Sequence, residues 1–329
     1  MPPAHHAPNG RFRNPWPDAE VRGWIDVFKW RLVDNRLHPP PPDPDPAVLP
    51  RAGNAPVLSE PAAPLAATWL GHSTVLVEVG GKRVLTDPVW SDRVSPFSWT
   101  GPERWVPPPL ALEALPALDL VVLSHNHYDH LDRPTVEWLA RERPHLPWIV
   151  PLKLAATVRK FGVREVMELD WWQTVEAGGV TVTAVPAQHF SARNLFDRGA
   201  TLWCGYVLGV GERRVYFAGD TGYHPEFAGI GGRLGPFDLA LIPIGAYEPR
   251  WFMRTVHMNP GDAMVALNDV RSAHPDRPLP YVLPIHWGTY KLTDEPMDEP
   301  PRKFRQGWEA AGLDRERLWL LAHGERREG

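Results

Sequence analysis

A short apolar run that leads directly into a histidine-rich polar segment constrains this chain more than any other feature. The run is Leu118-Asp-Leu-Val-Val-Leu123, and the segment that follows it is Ser124-His-Asn-His-Tyr-Asp-His-Leu-Asp132. A near-continuous apolar run of this length predicts a strand that is buried on both faces. The polar segment then lies at the carboxyl end of that strand, where α/β folds place their functional sites.

This segment carries three histidines and one aspartate within six residues, which are side chains that bind divalent metals. His125 and His127 are two positions apart, so both imidazoles point the same way in an extended loop. Asp129 and His130 follow where the chain turns into a helix, which directs them to a neighbouring position. One loop can therefore supply two adjacent metal ions. The alternative, a solvated turn that is rich in histidine by chance, is disfavoured by the density of the cluster.

Further candidate ligands follow later strand patterns. His189 comes after the strand pattern at 181–186, Asp220 after that at 215–218, and His286 after that at 281–284. Each residue alone is more easily explained structurally, and Asp220 lies in a Gly-Asp-Thr-Gly sequence that also fits a turn. Together with the first segment they form a coherent ligand set. Because this set contains no thiolate, the ligand types favour zinc but also allow iron or manganese.

The order of strand and helix patterns predicts the fold class. Thr74–Val79 and Arg83–Thr86 flank the Gly80-Gly81 pair, which is a hairpin signal. Helical patterns follow at Pro134–Arg143, Gly261–Ser272 and Lys303–Ala311. Pairs of strands followed by helices, twice over, predict two packed sheets with helices outside them. The expected fold is α/β, a four-layer αββα sandwich.

Residues 1–60 are expected to form a proline-rich N-terminal arm with one amphipathic helix, ahead of a main domain at 61–329. The helix is predicted over Asp18–Val33, and its apolar positions share one face: Val21, Trp24, Ile25, Phe28 and Leu32. We expect this face to pack on the main domain, with contact to a lipid surface as the alternative.

The composition excludes several functional classes. The chain has 35 Lys and Arg against 39 Asp and Glu, a net charge of −4, which argues against a nucleic-acid partner. No stretch of apolar residues is long enough to span a bilayer. The single cysteine, Cys204, cannot form an internal disulfide, so a cytoplasmic location is the default. The 16 tryptophans and 11 phenylalanines suit a core but also a lipid surface, so peripheral membrane contact is a further expectation.

The sequence also resembles a known family. His125-Asn-His-Tyr-Asp-His130 is similar to the H-x-H-x-D-H signature of the metallo-β-lactamase superfamily. Other stretches resemble its N-acyl-phosphatidylethanolamine-hydrolysing phospholipase D branch: Asn9–Phe12, Asn14–Pro17, Thr68–Thr74, Leu85–Pro88, Glu168–Trp172, Phe217–Tyr223, Ile242–Met253 and Ile285–Thr289. The resemblance covers most of the chain and implies that residues 61–329 form a metallo-β-lactamase-fold hydrolase domain.

The resemblance further implies two Zn²⁺ ions per chain. Each would have three ligands of its own and one shared ligand: His125, His127 and His189 for one ion, Asp129, His130 and His286 for the other, and Asp220 between them. Asp129 and Asp220 are also candidate catalytic residues, which would orient the nucleophile or carry its proton. His257 is a third catalytic candidate, as a proton or hydrogen-bond donor, with a buried structural histidine as the alternative.

The implied activity is hydrolysis of a phospholipid. A metal-bound hydroxide would attack phosphorus and release N-acylethanolamine and phosphatidic acid. The alternatives are a metal-dependent hydrolase of a lactone or of another ester or phosphodiester, since fold does not fix substrate, and a non-catalytic lipid-binding metalloprotein. A nuclease is disfavoured because no basic stripe is present. Family members can pair, so a homodimer is a further expectation.

Several residues outside the ligand set also carry predictions. His72 and Asp87 are expected to support the ligands from behind. Phe190 follows His189 where animal relatives typically carry tryptophan. We therefore expect the acyl or headgroup preference to differ from theirs. Six histidines lie in polar or proline-rich contexts and are predicted to be on the surface: His5, His6, His38, His145, His224 and His274.

Overall fold

The computed structural model describes residues 3–54, 58 and 62–329. These residues form strands that are numbered along the chain: β1 Leu65–Gly71, β2 Thr74–Val79, β3 Lys82–Thr86, β4 Leu120–Val122, β5 Trp148–Pro151, β6 Val166–Leu169, β7 Thr174–Ala177, β8 Val180–Val185, β9 Gly205–Val210, β10 Arg213–Phe217, β11 Leu239–Pro243, β12 Tyr281–Ile285 and β13 Arg326–Glu328. The predicted strands at 74–79 and 83–86 are therefore confirmed to within one residue.

The helices of the described residues are also numbered along the chain: α1 Trp24–Phe28, α2 Asn35–Leu37, α3 Arg133–Glu142, α4 Ala155–Lys160, α5 Glu226–Leu234, α6 Arg250–Met253, α7 Pro260–Ser272 and α8 Glu299–Ala310. A π-helical segment, Lys29–Asp34, joins α1 to α2. Short 3₁₀ turns lie at Pro46–Val48, Leu112–Ala114 and Arg315–Arg317.

The strands form two sheets. One has seven strands in the order β13-β1-β2-β3-β4-β5-β6, and the other has six in the order β12-β11-β10-β9-β8-β7. β3 to β6 are parallel to one another, as are β10, β11 and β12, while the remaining neighbours are antiparallel. The parallel strands of each sheet therefore end at a common edge, where their following loops meet.

The alternation of side chains along β2 shows how the layers pack. Val75 and Val77 point into the core between the two sheets, whereas Leu76 points into a second core that includes Val136 and Leu139 of α3. On the far side, α5, α7 and α8 cover the second sheet with buried apolar side chains, Trp308 among them. Because successive residues of a strand face opposite sides, both faces of each sheet are buried. The predicted four-layer αββα sandwich is confirmed.

The N-terminal arm differs from its prediction. Its helix is shorter than Asp18–Val33 and continues as a π-helical turn. Three residues of the predicted apolar face point into solvent, since Ile25, Phe28 and Leu32 are 85%, 63% and 52% exposed. The arm packs instead through the buried indole of Trp30, which donates to Asp294. At about 3.6 residues per turn, Trp30 lies on the opposite side of the helix from Ile25 and Leu32, so the contact made by Trp30 turns these two side chains away from the body.

The predicted boundary at residue 60 lies outside the described residues, and the division of the chain at that point stays a prediction. Among the described residues, no helix is long and apolar enough to cross a membrane.

Two of the six predicted surface histidines are instead buried. His5 is 6% exposed and stacks on Trp171 with ring centroids 4.1 Å apart. His224 is 1% exposed and lies between Trp16 and Phe227. Both imidazoles act as flat rings in aromatic stacks that join distant segments, which their polar sequence neighbours do not reveal. The exposed positions of His38 and His145 are confirmed.

Candidate metal centre

The structure brings all seven predicted ligands together at the common edge of the two sheets. The loop after β4 carries four of them, and the loops after β8, β10 and β12 carry one each: His125, His127, Asp129 and His130, then His189, Asp220 and His286. Gly219, beside Asp220, has φ +63°, and a Cβ atom there would lie 2.8 Å from Ser124 Cβ. Glycine therefore allows the two sheets to approach closely at this point.

Three imidazoles form the first ligand group. His125 Nε2 lies 2.9 Å from His127 Nδ1, and His189 Nε2 lies 3.2 Å from the same His127 nitrogen. His125 and His189 are each 1% exposed. Three ring nitrogens therefore converge on one point in a nearly dry environment, as the alternating spacing of His125 and His127 predicts.

Asp129 and two further histidines form the second group. Asp129 Oδ2 lies 3.4 Å from His130 Nε2 and 3.6 Å from His286 Nε2. His72 Nε2 joins them, 2.9 Å from the same carboxylate oxygen. This hydrogen bond agrees with the supporting role predicted for His72, and the same ring nitrogen also lies among the possible ligand atoms of this group.

Asp220 lies between the two groups. Its Oδ2 atom is 3.0 Å from His286 Nε2 and 3.1 Å from His130 Nε2, in the second group. The same oxygen is 3.9 Å from both His125 Nε2 and His189 Nε2, in the first group. One carboxylate oxygen within 4 Å of both groups is the geometry that a bridging ligand requires.

The outward-facing nitrogens of three ligands are held by hydrogen bonds. His130 Nδ1 lies 2.7 Å from Asp87 Oδ2, His125 Nδ1 lies 2.8 Å from Ser124 Oγ, and His189 Nδ1 donates to a backbone carbonyl at 2.9 Å. Asp87 is itself fixed by the backbone N–H and the hydroxyl of Ser124, at 2.7 and 2.6 Å. Such partners fix the orientation of metal-binding imidazoles, which is the supporting role predicted for Asp87.

Burial and charge set the protonation of the two groups in opposite directions. Burial lowers the pKa of His127 to about 3 and that of His189 to about 4, so both rings are neutral with free lone pairs. Burial also acts to lower the pKa of His286, but the Asp220 and Asp129 carboxylates outweigh it and raise this pKa to about 9. His130 and His286 in turn hold the pKa of Asp220 well below its usual range, against the effect of burial.

The donor set fits divalent metal ions. Asp220 Oδ1 is buried and has no hydrogen-bond partner among the described residues. A buried, ionised carboxylate oxygen without a partner is costly, and a cation satisfies it. The other donors are imidazole nitrogens and one carboxylate, while the single thiol, Cys204, is buried with its pKa raised above the usual range by burial. The residues therefore form a metal-binding centre of nitrogen and oxygen donors.

His257, the third catalytic candidate, lies against this centre. Its ring centroid is 5.0 Å from that of His189 and 5.1 Å from that of His286. It is 8% exposed, and burial holds its pKa well below the usual value. The structure thus places a neutral imidazole beside the ligands.

Asn14 is a positioning residue that was not among the predicted functional residues. Its amide donates to the carbonyl of His189 at 3.0 Å and accepts from the N–H of His189 at 3.2 Å. Asn14 thus holds the backbone of a candidate ligand from the N-terminal arm. The Asn14–Pro17 stretch was one of the family-like segments, and that resemblance was the available signal.

The fold and this centre together define the class of the protein, a metal-dependent hydrolase with the metallo-β-lactamase fold. Residues 82–287 match the family described as the Beta-lactamase superfamily domain. A metallo hydrolase from the archaeon Ignicoccus hospitalis, Igni18, has a similar structure, with a TM-score of 0.57, 25% sequence identity, and coverage of 80% of this chain and 97% of that one.

Two relatives that are similar in sequence identify the branch of the superfamily. An uncharacterized protein of Mycobacterium tuberculosis is 45% identical over 282 residues, which are 85% of this chain and 72% of that protein. N-acyl-phosphatidylethanolamine-hydrolyzing phospholipase D 1 of Caenorhabditis elegans is 46% identical over 254 residues, 74% of this chain and 69% of that enzyme. The chain belongs to the metallo-β-lactamase superfamily, in its N-acyl-phosphatidylethanolamine-hydrolysing phospholipase D branch, as the sequence motifs predict.

Proposed function

We propose that this chain is a di-zinc phosphodiesterase that hydrolyses N-acyl-phosphatidylethanolamine to N-acylethanolamine and phosphatidic acid. The observation that carries the proposal is the position of Asp220 Oδ2, within 4 Å of ring nitrogens in both ligand groups. A centre for one ion would need only one of these ligand groups, so the presence of two groups that share Asp220 supports two ions. The name of the Caenorhabditis elegans relative supports the choice of substrate.

Each ion would be held by one group, with the shared carboxylate between them: His125, His127 and His189 for the first, and Asp129, His130 and His286 for the second, bridged by Asp220. Imidazole and carboxylate donors suit zinc, and with the shared Asp220 each ion would have four protein ligands, so that a water or substrate oxygen would enter as a fifth ligand. When bound, two such ions would polarise a phosphodiester and lower the pKa of a metal-bound water towards about 7.

The two carboxylates differ in their access to the reaction. The side chain of Asp129 is 14% exposed, whereas that of Asp220 is 2% exposed. Asp129 can therefore reach a water molecule at the mouth of the centre, and we assign to it the orientation of the nucleophile and the carriage of its proton. Asp220 keeps the bridging role.

Hydrolysis forms a bond between phosphorus and a water oxygen and breaks the bond between phosphorus and the oxygen of the N-acylethanolamine. The departing oxygen needs a proton, which originates from the attacking water. Because burial keeps His257 neutral, its ring has one N–H and no extra proton to give. We therefore assign His257 a hydrogen-bond donor role towards the phosphoryl or departing oxygen, with Asp129 as the proton carrier.

Membrane contact is part of the proposal. Ile25, Phe28 and Leu32 project from the arm into solvent, with Lys29 and Arg31 between them. An apolar helix face with flanking cations suits the interface of a lipid surface. We propose that the chain is cytoplasmic and attaches peripherally to the membrane that holds its substrate.

The double substitution Ile25→Ser with Phe28→Ser tests this contact. We expect it to weaken sedimentation with vesicles that contain N-acyl-phosphatidylethanolamine, with unchanged cleavage of a short-chain soluble analogue. Val265→Ser is a matched control, since Val265 is 50% exposed and lies on α7. Equal vesicle binding by all three proteins would contradict the membrane contact.

The activity is tested with the zinc-loaded chain on N-acyl-phosphatidylethanolamine, other phosphodiesters and lactones. In ¹⁸O-labelled water, we expect the label in phosphatidic acid, because attack at phosphorus leaves the water oxygen there. Label in the N-acylethanolamine would contradict that attack. Turnover of lactones alone would favour the lactonase alternative, and full metal loading without any turnover would favour the lipid-binding one.

Variants test the proposed centre. We expect His130→Ala and Asp220→Asn each to abolish turnover, while the exposed His145→Ala retains it as a control for loss of a histidine. His125→Ala with His286→Ala removes one ligand of each group and should release about two zinc ions per chain by elemental analysis. Retained activity in both single variants would refute the assignment of the centre. Light scattering of the same samples tests the expected homodimer.

A further inference from the structure

A second histidine–aspartate cluster lies outside the centre described above. The adjacent His5 and His6 of the arm both reach Asp170, which follows β6. His5 Nε2 lies 2.6 Å from Asp170 Oδ1, and His6 Nε2 lies 2.8 Å from Asp170 Oδ2. One ligand atom from each of the three residues falls within 4.8 Å of the other two. Two imidazoles and a carboxylate that converge in this way are a zinc-type donor set.

The arm side of this cluster is held in place by its surroundings. The ring of His5 stacks on Trp171, and the backbone carbonyl of His5 accepts from the backbone N–H of Arg13 at 2.9 Å. The ring of His6 packs edge-on against Phe12, with centroids 5.1 Å apart. Both imidazoles are therefore positioned before any ion arrives, which lowers the cost of binding.

The carboxylate side is equally fixed. Asp170 Oδ1 accepts from the N–H of Trp171 at 2.8 Å, and the N–H of Asp170 donates to Gln173 Oε1 at 2.9 Å. Asp170 is 9% exposed, and His5 is 6% exposed. The side chain of His6, in contrast, is 30% exposed. The cluster is thus buried on one side and open to solvent at His6, which gives an entry path and room for a water ligand.

We propose that His5, His6 and Asp170 bind one Zn²⁺ ion, and that this ion fastens the N-terminal arm to the main body. The nitrogen–oxygen distances within this cluster, 2.6 and 2.8 Å, are slightly shorter than those in the main centre, where His130 Nε2 and His286 Nε2 lie 3.1 and 3.0 Å from Asp220 Oδ2. A small outward shift of two rings makes space for an ion between the three donors.

Binding needs a change of tautomer and no other chemistry. In the hydrogen-bonded form each Nε2 carries the proton that faces Asp170. Binding through Nε2 moves that proton to Nδ1 in a neutral ring, and the Nε2 lone pair becomes the metal ligand. Burial lowers the pKa of His5, which favours the neutral ring that this requires.

The arm links this site to the main centre. Eight positions after His6, Asn14 makes its paired hydrogen bonds with the backbone of His189. Fixing His5 and His6 shortens the free length of the arm and keeps Asn14 in place. The third ion would therefore be structural, and its effect on the main centre would pass through Asn14.

Zinc counting tests the proposal. The full chain and its variants are equilibrated with buffered free Zn²⁺, gel-filtered, and measured for zinc per chain. We expect His6→Ala, and independently Asp170→Asn, to bind about one ion fewer than the wild type. His38→Ala with His145→Ala is the matched control, because it removes two exposed histidines and should leave the count unchanged.

A second measurement covers the case in which a variant folds poorly. His6→Gln keeps a hydrogen-bond donor to Asp170 but is a poor zinc ligand, so it should keep the fold and still lose one ion. Added Zn²⁺ should slow protease cleavage between the arm and the body in the wild type and not in His6→Gln. Equal zinc counts in the wild type, His6→Ala and His6→Gln would overturn the proposal and leave a purely hydrogen-bonded cluster.

This test does not depend on the phospholipase assignment. The readout is the difference in zinc between matched variants, with the ligands of the main centre intact in all of them. Loss of one ion in His6→Gln together with an inactive wild type would support the arm site and contradict the proposed activity. Equal zinc counts together with an active wild type would contradict the arm site and support the proposed activity.

Discussion

Replacement of the buried His224 by phenylalanine should stabilise the protein, and more so in mild acid than at neutral pH. The ring of His224 is 1% exposed, with centroid distances of 4.6 Å to Trp16 and 4.1 Å to Phe227. Among the described residues, neither ring nitrogen has a hydrogen-bond partner. A phenyl ring keeps both stacks and brings no polar atom, so it removes the cost of two unsatisfied nitrogens.

The pH dependence follows from the pKa of this ring. Burial lowers the pKa of His224 from 6.5 to about 3. As the pH falls through 6.5 the unfolded chain takes up a proton at this residue, whereas the folded chain does so only near pH 3. Because the folded pKa is depressed, the free energy of unfolding decreases on acidification. At pH 5.5 the loss amounts to roughly 1 kcal/mol relative to pH 7.5.

Urea unfolding at pH 7.5 and pH 5.5, followed by tryptophan fluorescence under saturating zinc, measures this effect. Loss of metal affinity in acid affects the wild type and His224→Phe alike, so the difference between them isolates the ring. We expect the stabilisation by His224→Phe to be larger at pH 5.5 by roughly 1 kcal/mol. The exposed His145→Phe is the control and should show no such difference. Equal stabilisation by His224→Phe at both pH values would refute the reasoning.

Three further results are expected. Asp87→Asn removes the carboxylate that orients His130 and should lower zinc affinity roughly 10- to 100-fold in competition with a chelator. Asn14→Ala removes both hydrogen bonds to the backbone of His189 and should lower the rate on a soluble phosphodiester while it changes Tm little. A rate equal to that of the wild type would contradict the positioning role of Asn14. Removal of metal by a chelator should lower the free energy of unfolding, by about 2.7 kcal/mol for each ion lost when the zinc concentration had been 100 times the Kd of its site, and unchanged unfolding would contradict tight binding.

The sequence allows the sandwich and its candidate ligands to be predicted because both have local signatures. The run at 118–123 becomes β4, and the polar segment behind it carries four of the seven ligands. His189, Asp220 and His286 each follow a strand whose apolar pattern is visible in sequence. Parallel strands bring their carboxyl ends to one edge, so the meeting of these residues follows from general rules of α/β folds.

The arm could not be predicted in the same way. Its contacts join residues that are far apart in sequence, such as Trp30 with Asp294 and His5 with Asp170. Hydrophobic periodicity assigned the contact face of the arm helix to Ile25 and its neighbours, because periodicity counts apolar residues on each face. Trp30 lies on the opposite face, and its partner Asp294 is too far away in sequence for the pattern to reveal the contact. Polar surroundings likewise hid the burial of His5, whose partners, Asp170 and Trp171, lie about half the chain away.

Three residues other than glycine have strained backbone conformations at the metal centre, and the stability of the fold does not account for them. His72, Asp87 and His286 have φ angles of 54°, 34° and 62°, although none is glycine. Such conformations cost about 1 to 3 kcal/mol each when nothing compensates. The N–H of His286 donates to the carbonyl of His72 at 3.1 Å, and the N–H of Asp87 donates to that of Val122 at 3.0 Å. These bonds join the loops that bring ligands from both sheets to Asp220. Glycine would relieve the strain, but it would remove the proposed ligand His286, or the side chains of His72 and Asp87 that hold Asp129 and His130 by hydrogen bonds, so the metal centre accounts for these three side chains.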